Sequence, residues 1–168
     1  MALILPESRF FDWAGDGQRI VCPCCGMAHP HTERFRHHIE LLQELRSRKK
    51  RGITITSGFR CPKYNRSING ADKSQHILRR KFSDDTFATD QVLSPSTTRR
   101  GAKKGRIYET WFEESLELAH LAKDLGFNGI GVYRGDPDRE INPSTHFDLR
   151  QGDFAVWGSP EAIEQLGD

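Results

Sequence analysis

The chain has 168 residues, 36% hydrophobic and 29% charged, with a formal net charge of +2 at pH 7. That length suits a single domain over residues 1–168, and the composition is that of a soluble, somewhat polar protein. So small a net charge excludes a nucleic-acid binder argued from global electrostatics, and no apolar run approaches the ~20 residues that span a bilayer. The opening MALILPESRFF holds only a short apolar run before Pro6 and no basic stretch ahead of it. The reading therefore expects cytoplasmic synthesis without a signal peptide, no membrane insertion, no nucleic-acid partner and a monomer.

Residues 1–31 lack periodicity and read as an N-terminal segment packed on the domain, anchored by Phe10, Phe11 and Trp13. Within it, Cys22 and Cys25 have C-x-x-C spacing in CPCCG, followed by His29 and His31, with Cys61 the only cysteine farther on. Three or four of these residues suffice for a structural zinc, but no second C-x-x-C completes the pattern. A reduced cluster of Cys22, Cys24, Cys25 and Cys61 holding the segment is the preferred reading. Disulfides are a weak expectation without a secretion signal, and no neighbouring base and acid mark a nucleophilic cysteine.

Thr32 to Lys49 reads as an amphipathic helix: Phe35, Ile39, Leu42 and Leu45 recur at helical steps, Thr32 is its N-cap, and Gly52 ends it. His37 and His38 point about 100° apart, so they cannot chelate together, and both are expected to be exposed or partly packed. The run Arg46, Arg48, Lys49, Lys50, Arg51 complements the helix dipole in part. Ile53 to Thr56 is a strand ending at Ser57-Gly58, and the Pro-, Asn- and Gly-containing stretch Arg60 to Lys73 is a loop. After Ser74-Gln75-His76, the hydrophilic residues 77–87 look inserted. Phe87 to Leu93 is the next strand and carries Asp90.

Residues 95–106 form a loop with a second basic run (Arg99, Arg100, Lys103, Lys104, Arg106). Solvated patches are the plain reading of both runs, attraction to an anionic polymer such as a cell wall the sharper one. Tyr108 to Leu125 is a broad-faced helix stopped by Gly126, with His120 a partly buried side chain beside its apolar face. Gly129 to Tyr133 is a strand. His146 to Arg150 is another, in which His146 and Asp148 share a face by the two-residue repeat. Ser159-Pro160 opens a short C-terminal helix as N-cap and N1. Two histidines and a carboxylate, which His76, His146 and Asp90 can supply, are what a catalytic zinc ion requires: three protein ligands and a fourth, open position.

Ser57-Gly58-Phe59-Arg60, Pro62, Tyr64-Asn65, Gly70-Ala71, Ser74-Gln75-His76, Ala88-Thr89-Asp90, Gly129-Ile130-Gly131-Val132-Tyr133 and His146-Phe147-Asp148-Leu149-Arg150 stand here in the order found in a known family. Over about residues 10–150 the chain resembles the M15 family of zinc D-alanyl-D-alanine peptidases, in particular its phage-type branch, which the CPCCG segment also matches. The resemblance implies an α+β fold, a small, mainly antiparallel sheet with helices packed against it, as in lysostaphin-type peptidases and the hedgehog domain. It implies Zn2+ on His76, Asp90 and His146, and substrate held by Arg60, Ser74 and Tyr133, with Arg60 suited to a carboxylate. The implied activity is hydrolysis in the peptidoglycan stem peptide, by a D-Ala carboxypeptidase or an endopeptidase. A phage lysin would act on the wall after release or from the virion.

Two features depart from the family pattern. The family places its histidine and aspartate ligands seven residues apart, whereas His76 and Asp90 are separated by fourteen. Ser83 at the family spacing is a poor ligand, and Asp90 is preferred over Asp84 and Asp85 because it lies on a strand in the family's A-x-D. Where several members carry a glutamate, three residues before the last histidine, this chain has Pro143. Asp148 is then the first choice for general base, or for orienting His146, ahead of Glu140 and Asp138. The competing readings are a non-catalytic zinc-containing binding or virion protein with the same fold, and a nucleic-acid binder using CPCC as a zinc knuckle.

Overall fold

The computed structural model describes residues 10–11, 20–29, 32–77, 86–96 and 104–167. The expectations for Trp13, His31, Asp84, Asp85, Arg99, Arg100 and Lys103 fall outside them. The elements are α1 (Glu33–Lys49), β1 (Ile53–Ser57), α2 (Pro62–Ser67), β2 (Ala88–Leu93), α3 (Lys104–Leu125), β3 (Gly129–Tyr133), β4 (Ser144–Asp148), β5 (Ala155–Gly158) and α4 (Pro160–Leu166). The fold is α+β, with one five-stranded sheet in the order β1-β2-β4-β3-β5. All pairings are antiparallel except β3 with β5.

Helix α1 starts where its cap dictates: the Thr32 side chain accepts the Phe35 N–H at 3.3 Å. It ends at Lys50, which takes a left-handed φ of 54° two residues before Gly52 and sends its N–H to the Arg46 carbonyl. Its buried stripe contains Phe35, His38, Ile39, Leu42 and Leu45. His38 thus corrects the expectation of exposure. It is fully buried, edge-on to Phe87 and Phe127, with Nε2 at 2.9 Å from Thr89 Oγ1 and no hydrogen-bond partner at Nδ1. His37 is exposed.

The first basic run is mostly engaged. Arg48 pairs with Glu44 within α1, while Lys49 with Glu117 and Arg51 with Glu114 tie the end of α1 and the turn after it to α3. Arg46 lies over the Phe10 ring. In the second run, Lys104 belongs to α3, which begins four residues before Tyr108, and meets Glu140 at 3.3 Å. His120 is exposed, 3.3 Å from Gln165 Oε1. The stretch read as loop from Arg60 to Lys73 contains α2, and the edge strand β5 was not anticipated.

One sheet face carries the helices. Thr89, Gln91 and Leu93 of β2 point toward them: Thr89 meets His38 of α1, and the Leu93 carbonyl accepts the Trp111 indole N–H of α3 at 2.6 Å. The two-residue repeat therefore turns Asp90 to the opposite face. On β4, fully buried Phe147 stacks with Phe127 on the helix side, which turns His146 and Asp148 to Asp90's side.

Candidate metal centre

Strand register assembles the site. Asp90 on β2 is the direct partner of His146 on β4, and His146 is the partner of Gly131 on β3. At the outer edge, Ser57 pairs with Asp90 after a bulge in β1, which turns the chain into the segment carrying Gly58 and Arg60. That segment is laced to the one carrying His76: the Arg60 N–H donates to the His76 carbonyl at 2.9 Å, and His76 Nδ1–H to the Gly58 carbonyl at 2.7 Å.

Three donor atoms converge. His76 Nε2 lies 3.2 Å from Asp90 Oδ1 and 3.2 Å from His146 Nδ1, and the latter two are 2.8 Å apart. A tetrahedral zinc ion with ligand bonds of 2.0–2.2 Å needs donor–donor edges of about 3.3 Å, so a small outward adjustment opens the triangle to fit. Each imidazole also has its second nitrogen satisfied. Nδ1–H of His76 goes to a backbone carbonyl, and Nε2–H of His146 to Asp148 Oδ2 at 3.0 Å, which leaves both inward-facing nitrogens as lone pairs. Chain separation of fourteen residues thus does not keep Asp90 from His76.

Electrostatics hold Asp90 in its ionised, ligating form. Burial pushes the Asp90 carboxyl up, but hydrogen bonds and charge from His146 and His76 outweigh it and hold the group well below the usual range. Burial lowers the His76 pKa despite the Asp90 carboxylate. At His146 burial also opposes the cation, yet Asp148 and Asp90 raise its pKa. The Arg60 guanidinium pairs with the outer oxygen of Asp90, and its Nε–H donates to Ser57 Oγ at 2.8 Å.

Asp148 sits behind His146 with no exposed surface. Besides His146 it accepts the backbone N–H of Arg150 at 3.1 Å, its Nε–H at 2.9 Å and its Nη2–H at 2.6 Å. Burial raises its pKa, but the bonds from Arg150 and His146 bring it down to about 2. Its oxygens are occupied and enclosed, a placement suited to orienting His146 and unsuited to exchanging protons with a substrate. The glycines of GIGVY explain how it fits: a Cβ on Gly129 would lie 2.0 Å from Asp148 Oδ1, and one on Gly131 would lie 2.7 Å from Trp157 Nε1.

The donors open onto a cleft of ≈ 550 Å³, in the range of small-ligand sites, lined also by Arg60, Lys73, Ser74, Tyr133, Arg150 and Trp157. Ser74 is half-buried and accepts the His76 N–H at 3.3 Å. Tyr133 is partly exposed, and its oxygen accepts the Trp157 Nε1–H at 2.9 Å. Burial raises the Tyr133 pKa, so the phenol keeps its proton. Trp157, missed in the sequence, also lies against the His146 ring with centroids 5.0 Å apart and beneath the Arg150 guanidinium. Glu140 and Asp138 are exposed and do not line the cleft; among the described residues Asp90 is its only carboxylate.

The family model described as Peptidase M15 matches residues 20–109, just over half of the chain. The matched stretch includes Arg60, Ser74, His76 and Asp90 and stops before His146, which the sheet register brings to them. No curated protein and no solved structure matches the chain.

Proposed function

The chain belongs to the peptidase M15 family, whose members are zinc-dependent, and from that premise we propose that it hydrolyses a peptide bond in the peptidoglycan stem peptide. The reaction is removal of a terminal D-alanine or cleavage inside the stem or crosslink. The convergence of His76 Nε2, Asp90 Oδ1 and His146 Nδ1 beside an open cleft carries this reading. Those three atoms would hold the ion. When bound there, zinc polarises a scissile carbonyl and makes hydroxide available near neutral pH.

The side chains around it divide the remaining work. Asp148 fixes the His146 ring and tautomer. Because the Tyr133 oxygen already accepts from Trp157, its own O–H is free to donate into the cleft, where it would stabilise a developing oxyanion. Arg60, Lys73 and Arg150 give the cleft a cationic lining that favours a substrate bearing carboxylates, with Ser74 as a neutral partner. In this proposal the protein is a lysin that reaches the wall after release from the host cell or from a virion.

A second reading, a non-catalytic zinc-containing protein, is favoured by one observation: no carboxylate beyond Asp90 lines the cleft among the described residues. A digest of purified peptidoglycan separates the two. Newly released amines that vanish with a chelator and in His76→Ala support the hydrolase. Stoichiometric zinc without released amines rejects it.

A further inference from the structure

The cysteines form a second cluster that the His76 centre does not use. Cys22, Cys25 and Cys61 bring their Sγ atoms within 4.8 Å of one another, although Cys61 lies on the far side of α1 and β1 in the sequence. All are free thiols. The turn from Cys22 to Gly26 is closed by the Gly26 N–H on the Cys22 carbonyl at 2.9 Å and the Cys22 N–H on the Met27 carbonyl at 2.9 Å. Gly26 takes φ +68°, the conformation that lets the chain fold back tightly enough to aim Cys22 and Cys25 at one point.

Backbone donors surround the sulfurs. The Cys61 N–H points at buried Cys22 Sγ at 3.3 Å, and the Tyr64 N–H at Cys61 Sγ at 3.4 Å. Burial pushes the Cys22 thiol up, but N–H groups of Cys61, Cys25 and Cys24 outweigh it and bring it down to about 7. Cys24 lies beside the cluster on the exposed side, where the neighbouring Cys61 thiol raises its pKa. His29 is committed elsewhere, with Nε2 at 2.8 Å from the Thr86 carbonyl and its ring stacked on Phe35.

Three mutually adjacent sulfurs are one too many for a disulfide, which would leave the third thiol unpaired beside it. They suit a tetrahedral thiolate site, where Zn–S bonds of ≈ 2.3 Å set sulfur–sulfur edges of about 3.8 Å. We propose that Cys22, Cys25 and Cys61, with Cys24 as the fourth donor, bind a structural zinc ion that clamps residues 20–27 to the segment carrying Arg60. Cys61 directly follows Arg60, and the neighbouring Phe59 N–H already donates to the Ile20 carbonyl at 3.1 Å. The ion would therefore brace the root of the loop that holds the outer oxygen of Asp90. The site stands on the cysteines alone and does not depend on the peptidase reading.

The test is metal content of the full chain purified under reducing conditions, followed by replacement of zinc with Co2+. The expected contents are two equivalents of zinc in the wild type, one in His76→Ala, one in Cys25→Ser and none in the double variant. Co2+-loaded His76→Ala should show a thiolate-to-cobalt charge-transfer band in the near ultraviolet. That measurement keeps the cysteines intact, so it decides the matter even if Cys25→Ser fails to fold. A single equivalent in the wild type that disappears in His76→Ala, a missing charge-transfer band, or an intact mass showing a Cys–Cys disulfide overturns the proposal.

Discussion

Replacing Asp148 with asparagine separates the two tasks a carboxylate can have beside a metal ligand. Asp148 accepts four N–H groups, one from His146 and three from Arg150, while fully buried. An amide of the same shape offers one acceptor oxygen and two donor hydrogens. At least one of the four donors must then face another donor, and the anion that favours the Nε2–H tautomer of His146 is gone. Loss of such a partner weakens a metal site about 10- to 100-fold, roughly 1.4–2.7 kcal/mol. Competition against a chromophoric chelator would read that loss directly, and kcat at saturating zinc supplies the second axis. If Asp148 acts through His146, zinc affinity falls while kcat largely recovers once the site is filled. Unchanged zinc affinity with kcat down by about 10²–10⁴ would refute the reasoning, because that is the signature of a lost proton shuttle.

Three further outcomes follow from the same geometry. Tyr133→Phe keeps the ring against its neighbours but removes the hydroxyl, and should lower kcat about 10- to 100-fold with zinc affinity unchanged, a loss of similar size in both parameters arguing against the oxyanion role. Gly131→Ala places a Cβ at 2.7–2.9 Å from the Trp157 indole and 3.2 Å from His146 Cβ, so it should destabilise by about 1–3 kcal/mol in urea titration and loosen zinc binding. Burial holds the His38 pKa down at about 3, against 6.5 for the free side chain. Between those values the unfolded chain binds the extra proton, so stability is full above pH 6.5 and falls toward pH 3 by about 1.4 kcal/mol per unit from this group. Urea titrations of chelator-treated protein should show a shallower pH slope in His38→Gln; equal slopes would mean that His38 does not stay neutral in the fold.

Much of this was legible because local chemistry and tertiary packing agree. Thr32 and Ser159 cap the helices they were expected to cap, and the strand read from Gly129 to Tyr133 has those bounds. The donor set was readable for a similar reason: its residues sit in motif-bearing strands and in the SQH segment, and the register places Asp90 opposite His146. What escaped lacks such a signal. β5 is four residues long, partly exposed and without alternation, so nothing in Ala155–Gly158 announced a strand or placed Trp157 against His146. α2 starts at Pro62 behind a cysteine N-cap, an unusual capping residue, and carries little apolar pattern. His38 falls on the stripe of Phe35, Leu42 and Leu45, so its helical position does carry the signal of burial, against the expectation of exposure for both adjacent histidines.

The central claim concerns one cation between two strands and a loop, and anomalous diffraction at the zinc edge from crystals of the zinc-loaded protein addresses it most directly. The account predicts an anomalous peak 2.0–2.2 Å from His76 Nε2, Asp90 Oδ1 and His146 Nδ1, with a remaining coordination position facing the cleft. No peak among those three atoms at full zinc loading would contradict it.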